Sequence, residues 1–493
     1  MIGRGPVRTI AALALACLGA AACGDGGGRA RTLALAECRL PRLAVAAQCG
    51  TLEVPENRDA PQGRKITLTV AVLAANTLSP RSDPLFMLAG GPGQAATYLG
   101  PFAARMADVR KDRDIVLVDQ RGTGRSSPLA CRALKEEETF GAAFDLDVVP
   151  RAADCARELA ALGIDPAQYT TAAWVEDLDA VRAALGYAKI NLWGGSYGTR
   201  VALEYLRRHP DGVRSAVLDG VAPPSMIVSF DVWTARDRAV DRVVEGCAGS
   251  PTCRAAHPDL AATLASIRAR LGAAGRDVAV TDPRTGAVET RRVTFDHVIA
   301  ALQPLTYAPE LAALMPEIIG SAASGDYAPL FTAAQLVAGN LAEQMNLALH
   351  YSVTCAEDAP RLSVGGVRAA LEGVRSEALV RRTLAVCDVW PHGKVPLDAT
   401  TPVRSDVPVL ILSGGLDPVT PPANGAEVAR TLPHSRHVVA RGFGHIVSPH
   451  ACAPRLVASF LDDPTFASLP ATCVERFERS DAPAPWPDRL GAR

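Results

Sequence analysis

Short apolar runs bounded by turn-forming residues recur along the first half of the chain. Residues 49–55 and 66–74 (Ile-Thr-Leu-Thr-Val-Ala-Val-Leu-Ala) have the length and β-branched content of opening strands, separated by the polar, turn-rich stretch 56–64. A repeating unit then sets in. Residues 85–89 are an apolar run ending in Gly90-Gly91-Pro92-Gly93, and 115–118 are another ending in Asp119-Gln120-Arg121-Gly122-Thr123-Gly124. A helical pattern at 175–185, a strand at 190–193, a helix at 201–208 and a strand at 215–218 ending in Asp219-Gly220 continue it. Short strands alternating with helices predict an α/β fold, a mostly parallel sheet covered on both faces, with its chemistry at the carboxyl ends of the strands.

The alternation stops near Ser225 and resumes near Val407. Between them the pattern is helical at 236–245, 260–271, 295–302 and 330–349, with one hairpin at 278–293 turning around Asp282-Pro283-Arg284-Thr285-Gly286. Residues 225–398 are therefore expected to form a mainly helical lid between two parts of one sheet domain, 38–224 and 399–480. After the lid, a strand at 407–412 leads to Asp417-Pro418, a strand at 435–440 leads to Gly442-Phe443-Gly444-His445, and 455–461 suit a closing helix.

Composition changes this picture little: 493 residues, 48% hydrophobic, with a net charge of -1, describe a globular chain with no electrostatic pull toward nucleic acid. The first residues add more. Arg4 and Arg8 precede an apolar stretch at 9–22 that is short for a membrane span, and small residues lead to Cys23, so 1–23 read as an export signal. Ala20-Ala21-Ala22-Cys23, followed by a glycine-rich tether expected over 24–37, resembles a bacterial lipoprotein processing site, with Ala20 where Leu is usual. Lipid on Cys23 would attach the chain to a membrane; plain secretion is the alternative. Residues 481–493 form a Pro-rich tail.

Apart from Cys17 and Cys23, the remaining cysteines fall into neighbouring pairs: Cys38 with Cys49, Cys131 with Cys155, Cys247 with Cys253, Cys355 with Cys387, and Cys452 with Cys473. In an exported chain these suggest disulfides. No C-x-x-C or H-x-x-x-H pattern points to a metal, and no cofactor is expected.

One stretch carries the chemistry. Lys189 to Arg200 reads Lys-Ile-Asn-Leu-Trp-Gly-Gly-Ser-Tyr-Gly-Thr-Arg, a strand meeting a helix through G-x-S-x-G, the pattern of a nucleophile elbow. Ser196 is the candidate nucleophile. A serine hydroxyl needs a base, and the base needs a carboxylate to fix its tautomer, so His445 and Asp417 complete a Ser, acid, His order characteristic of α/β-hydrolases. Asp219 is a rival acid, read as a turn or cap residue. The expected oxyanion donors are the backbone N–H groups of Tyr197 and Gly91.

Taken together, Gly90-Gly91-Pro92-Gly93-Gln94, Asp119-Gln120-Arg121-Gly122-Thr123-Gly124-Arg125-Ser126, Gly194-Gly195-Ser196-Tyr197-Gly198-Thr199 and Leu218-Asp219-Gly220 resemble the prolyl aminopeptidase family of serine peptidases, and within it the secreted bacterial tripeptidyl aminopeptidases. Ala89 departs from the His that prolyl aminopeptidases usually carry there. The resemblance implies an α/β-hydrolase fold and an exopeptidase that takes short peptides from a free amino terminus. A lid carboxylate, Glu357 or Asp358 beside Cys355, would then pair with the substrate ammonium. An esterase using the same triad is the alternative, separable by its indifference to a free substrate amine. A ligand-binding lipoprotein without catalysis is disfavoured by the intact Ser, Asp and His. Serine at the elbow also disfavours epoxide hydrolase or dehalogenase chemistry, which uses Asp there.

Overall fold

The computed structural model describes Met1 and residues 32–134, 148–281, 285–342, 344–362, 371 and 374–479. The export signal with Cys23, most of the tether and the tail at 481–493 lie outside the described residues. The strands are β1 (Ala36–Cys38), β2 (Ala47–Pro55), β3 (Lys65–Leu73), β4 (Leu85–Leu88), β5 (Ile115–Val118), β6 (Ile190–Gly195), β7 (Val213–Asp219), β8 (Arg276–Thr281), β9 (Val288–Val293), β10 (Val409–Gly414) and β11 (Ser435–Ala440). Nine of them form one sheet in the order β1-β2-β3-β5-β4-β6-β7-β10-β11, while β8 and β9 pair as the lid hairpin. β1, β2 and β3 run antiparallel to their neighbours, and from β5 to β11 every pairing is parallel.

The central strands are apolar throughout because helices cover both faces. Successive residues alternate between two hydrophobic clusters: Phe86, Leu88, Val116 and Val118 join one, while Leu85, Met87, Ile115 and Leu117 join the other. The helix Tyr197–Arg208 is buried on nearly every side, so its polar members Arg200 and Glu204 are buried with it. Five disulfides link Cys38 to Cys49, Cys131 to Cys155, Cys247 to Cys253, Cys355 to Cys387 and Cys452 to Cys473.

The lid differs from the single insert expected over 225–398. Its first part has its own core, running from Val240 to Phe331. The helix Leu347–Glu357, with Val386, Cys387 and Trp390, instead shares the cluster of the sheet domain. The helical pattern at 330–349 is also broken in two. Asn346 caps the second helix by accepting from Leu349 N at 2.8 Å, and its own N–H donates to Gly93 O at 2.9 Å, so the chain turns there to meet the Gly-Gly-Pro-Gly loop. The expected tether also ends early: Thr32 and Leu33 donate to Ala184 O, Leu33 is buried, and β1 pairs with β2. The helices Val149–Ala161 and Ala471–Arg479 and the strand β1 add to the elements anticipated.

A buried charge cluster fixes the crossover into the lid. Asp358 is wholly buried and accepts from Arg200 Nη1 at 3.0 Å and from Val228 N at 3.0 Å, at the start of the helix Val228–Gly249. Arg200 Nη2 also donates to Met226 O at 2.6 Å, and Arg361 Nη1 reaches the same carbonyl at 2.9 Å. Asp358→Ala would leave the buried Arg200 cation with only Glu357 Oε2, at 3.9 Å, to balance it. We expect it to lower unfolding free energy by about 3–5 kcal/mol, read by urea denaturation. A loss under about 1 kcal/mol, the level of an exposed pair, would contradict the clamp.

Candidate active site

Strand β6 ends at Gly195 and a helix begins at Tyr197, leaving Ser196 alone in the turn with φ 56° and ψ -125°. That conformation costs a non-glycine residue about 1–3 kcal/mol, so its surroundings must hold it. Ser196 N donates to Asp219 O at 2.9 Å, and Thr199 donates to Ser196 O through both N (2.8 Å) and Oγ1 (2.6 Å). The flanking glycines are required by contact. A Cβ on Gly194 would lie 2.4 Å from Gly198 O, and one on Gly198 would lie 2.2 Å from Leu88 O.

The two strand ends beyond the lid meet beside this turn. His445 Nδ1 lies 2.8 Å from Asp417 Oδ2, with the His side chain 8% exposed and the Asp fully buried. Asp417 Oδ1 accepts from Val419 N and Thr420 N at 2.8 Å each, and Oδ2 accepts from Thr420 Oγ1 at 2.8 Å. Every carboxylate lone pair facing the protein is used, so the acid is fixed in rotation. Gly220 packs against this pair, for a Cβ there would approach His445 Cε1 to 3.1 Å. No hydrogen bond to Ser196 Oγ appears among the described residues. The expected Ser196 to His445 link is therefore not closed, as is common before substrate binds.

Asp219, the rival acid, serves the base loop rather than the base. Its carboxylate accepts from Val447 N at 2.9 Å and from Ser448 N at 2.7 Å, just past His445. Burial pushes its pKa up, while these backbone donors pull it back. The lid reaches the same loop: Tyr307 O accepts from His445 N at 3.2 Å, and the Tyr307 ring stands edge-on to the imidazole at 5.6 Å.

Gly90 is the loop residue nearest the serine, since its Cβ would sit 3.1 Å from Ser196 Cβ. Its N–H is engaged by Gln94 Oε1 at 3.3 Å. Gly91, at φ 109°, has no partner for its N–H among the described residues, and Tyr197 N is likewise free at the first turn of its helix. The loop is braced from the lid by Gln94 to Gln344 (2.9 Å) and by His350 Nδ1 against Pro92 O (3.2 Å). Residues 119–126 are structural: Arg121 is buried against Asp177 in a bidentate pair at 2.6 and 2.8 Å, and Ser126 Oγ accepts from Thr69 N.

The two lid carboxylates part company. Asp358 is occupied by Arg200 and the Val228 N–H, which leaves it unable to receive a substrate ammonium, contrary to the expectation. Glu357 keeps a tenth of its side chain exposed and accepts from Thr171 N (2.7 Å) and Thr171 Oγ1 (2.9 Å). Thr171 Oγ1 in turn lies 2.7 Å from Tyr197 Oη, linking Glu357 to the residue after Ser196. Burial raises the Glu357 pKa from 4.5 to about 7, against the pull of Arg200. The folded carboxyl holds its proton to about pH 7 and the unfolded one releases it near pH 4.5, so the native state loses stability as pH rises across that window. Glu357→Gln should therefore have a flatter dependence of Tm on pH between about 5 and 8 than the wild type. Parallel curves would place the ionisation elsewhere.

Sequence reasoning missed Thr420, Tyr307, Gln94 and Thr171. Thr420, a hydroxyl three residues after the acid, and Gln94, directly after the Gly-Gly-Pro-Gly run, left local signals.

A serine held in a strained elbow at one strand end, with a histidine and acid paired at the ends of later strands of a mostly parallel sheet, is the arrangement of a hydrolase of the α/β-hydrolase class. Residues 83–294 match the family model for the alpha/beta hydrolase fold, and residues 374–473 match the model for TAP-like protein. Over 435 residues the chain is 28% identical to a tripeptidyl aminopeptidase of Streptomyces lividans, an alignment spanning 82% of this chain and 78% of that one. It is 30% identical over 200 residues to a serine protease of Mycobacterium tuberculosis (37% and 38% of the two chains). It is also 30% identical over 148 residues to a proline iminopeptidase of Neisseria gonorrhoeae (29% and 34%). The fold is that of the α/β-hydrolases, and the relatives the chain resembles are serine peptidases and aminopeptidases.

Proposed function

We propose that the chain is an exported serine exopeptidase that releases short peptides, tripeptides above all, from free amino termini. Ser196 Oγ attacks the scissile carbonyl while His445 Nε2 takes its proton, and Asp417 holds the imidazole in the tautomer that leaves Nε2 free. The N–H groups of Gly91 and Tyr197 receive the oxyanion. His445 then returns the proton to the departing amine, leaving an acyl-enzyme on Ser196 that water hydrolyses. The observation that carries this reading is the 2.8 Å contact of His445 with Asp417 beside the Ser196 elbow, in a chain aligned over most of its length with a tripeptidyl aminopeptidase. Glu357 is the lid carboxylate left to meet the substrate ammonium, so Glu357→Gln raises KM for free-amine peptides. The five disulfides support export, and lipid on Cys23 would add anchoring.

The test is hydrolysis of a fluorogenic tripeptide amide, ending in Pro or Ala, with its amine free or acetylated, beside a nitrophenyl ester. Cleavage of the free-amine form alone is the expected result. Ester turnover without peptide cleavage would make the chain an esterase on a peptidase scaffold.

A further inference from the structure

The lid carries a cation held by aromatic rings. Arg236, on the helix Val228–Gly249, lays its guanidinium over the rings of Trp233 (5.5 Å) and Tyr307 (5.2 Å) and donates to the Tyr307 hydroxyl. No Asp or Glu pairs with it among the described residues, and its Nε is buried without a partner. Two aromatic faces and one phenol stabilise a guanidinium, yet they leave most of its planar fork of donors unused.

Its position is defined from two sides. Tyr307 touches His445 with its ring edge and accepts the His445 N–H, so Arg236 lies one residue away from the base. His350, whose Nδ1 lies against Pro92 O of the oxyanion loop, also feels Arg236. Burial is the main cause of the lowered His350 pKa, and the Arg236 charge acts in the same direction. Further along the same helix, Arg242 lies in the field of Asp417, and also of Glu245 and Asp241. Through Tyr307, Arg236 thus places a positive charge next to the base.

We propose that Arg236 is a carboxylate subsite, binding a carboxylate of the peptide on the leaving-group side of the scissile bond. His445 delivers its proton to the departing amine, so the ground beyond it belongs to the leaving group, and Arg236 is reached from there through Tyr307. A guanidinium binds a carboxylate through two parallel N–H donors, which suits the free fork of Arg236. The acceptor is the terminal carboxylate of a short leaving peptide or an acidic side chain next to the scissile bond. The first source makes the enzyme selective for oligopeptides that end just past the cleaved bond. This inference rests on the peptidase reading above.

The experiment uses four substrates sharing one free-amine tripeptidyl acyl group, followed by alanine with a free carboxylate, alanine amide, aspartyl amide, or aminocoumarin. In the wild type, kcat/KM for the free-carboxylate substrate should exceed that for alanine amide by roughly ten- to hundredfold. In Arg236→Gln that ratio should fall to within about threefold, with Arg236→Lys between the two. The ratio is the readout, so a general loss of activity in the variant does not disturb it. A gain for aspartyl amide over alanine amide, lost in Arg236→Gln, would assign the subsite to an acidic side chain instead of the chain end. A wild-type ratio near one for both carboxylates, or a ratio that Arg236→Gln leaves intact, overturns the proposal. Turnover of aminocoumarin amide with no carboxylate preference overturns the subsite alone, whereas failure to cleave any of the four overturns the peptidase reading with it.

Discussion

Ser196→Ala should lower kcat on a free-amine tripeptide amide by about 10^5- to 10^6-fold while leaving KM within a few-fold. The size follows from the loss of the only atom that forms the acyl-enzyme bond. What remains is the acceleration from binding and from the Gly91 and Tyr197 donors, which polarise the carbonyl but supply no nucleophile. Stability should hardly change, within about 0.5 kcal/mol, because Ser196 Oγ makes no hydrogen bond among the described residues and alanine tolerates φ 56° about as poorly as serine. The pairing of a large catalytic loss with an unchanged Tm is the informative result. Activity above about 1% of wild type in a homogeneous preparation would mean that another group attacks the carbonyl.

The elements that position this serine were legible because their signals are local. Phe86 and Leu88 against Leu85 and Met87 follow period-two alternation, and the G-x-S-x-G run needs only its own chain to place Ser196 between strand and helix. The meeting of His445 with Asp417 was legible for the same reason, each following an apolar run by a few residues. What escaped depends on residues far apart in sequence. Tyr307 reaches His445 across 138 positions only because the lid folds over the base loop, and no periodicity at 303–307 announces that contact. Asp219 looked like a turn residue, and its role in holding Val447 and Ser448 appears only when β7 and the base loop are side by side. Asp358 misled by its neighbourhood. A carboxylate beside a cysteine in the lid looked available for a substrate amine, but Arg200 lies on a helix buried on nearly all sides and must be neutralised from somewhere. The structure takes Asp358 for that purpose and leaves Glu357, with Thr171 and Tyr197, closer to the chemistry.

Asp417→Asn should lower kcat by about 10^4-fold with little effect on KM, and the geometry dictates why. Asp417 Oδ1 accepts from two backbone donors, Val419 N and Thr420 N, whose positions are set by the turn. An asparagine here must keep its carbonyl oxygen facing those two N–H groups, since an NH2 there would oppose both. Its NH2 then takes the place of Oδ2, facing His445 Nδ1 and Thr420 Oγ1. An imidazole opposite an NH2 presents Nδ1 as an acceptor and carries its proton on Nε2. In that tautomer Nε2 cannot take the proton of Ser196, so the base is present, correctly placed and unable to act. Thr420 sharpens the effect, because its hydroxyl can donate to Oδ2 of the acid but can only accept from the amide, turning the Oγ1 proton elsewhere. The variant should therefore bind peptides normally and fold normally while losing turnover. A loss of less than about tenfold would mean that His445 chooses its tautomer without Asp417, and would return Asp219 to consideration as the acid.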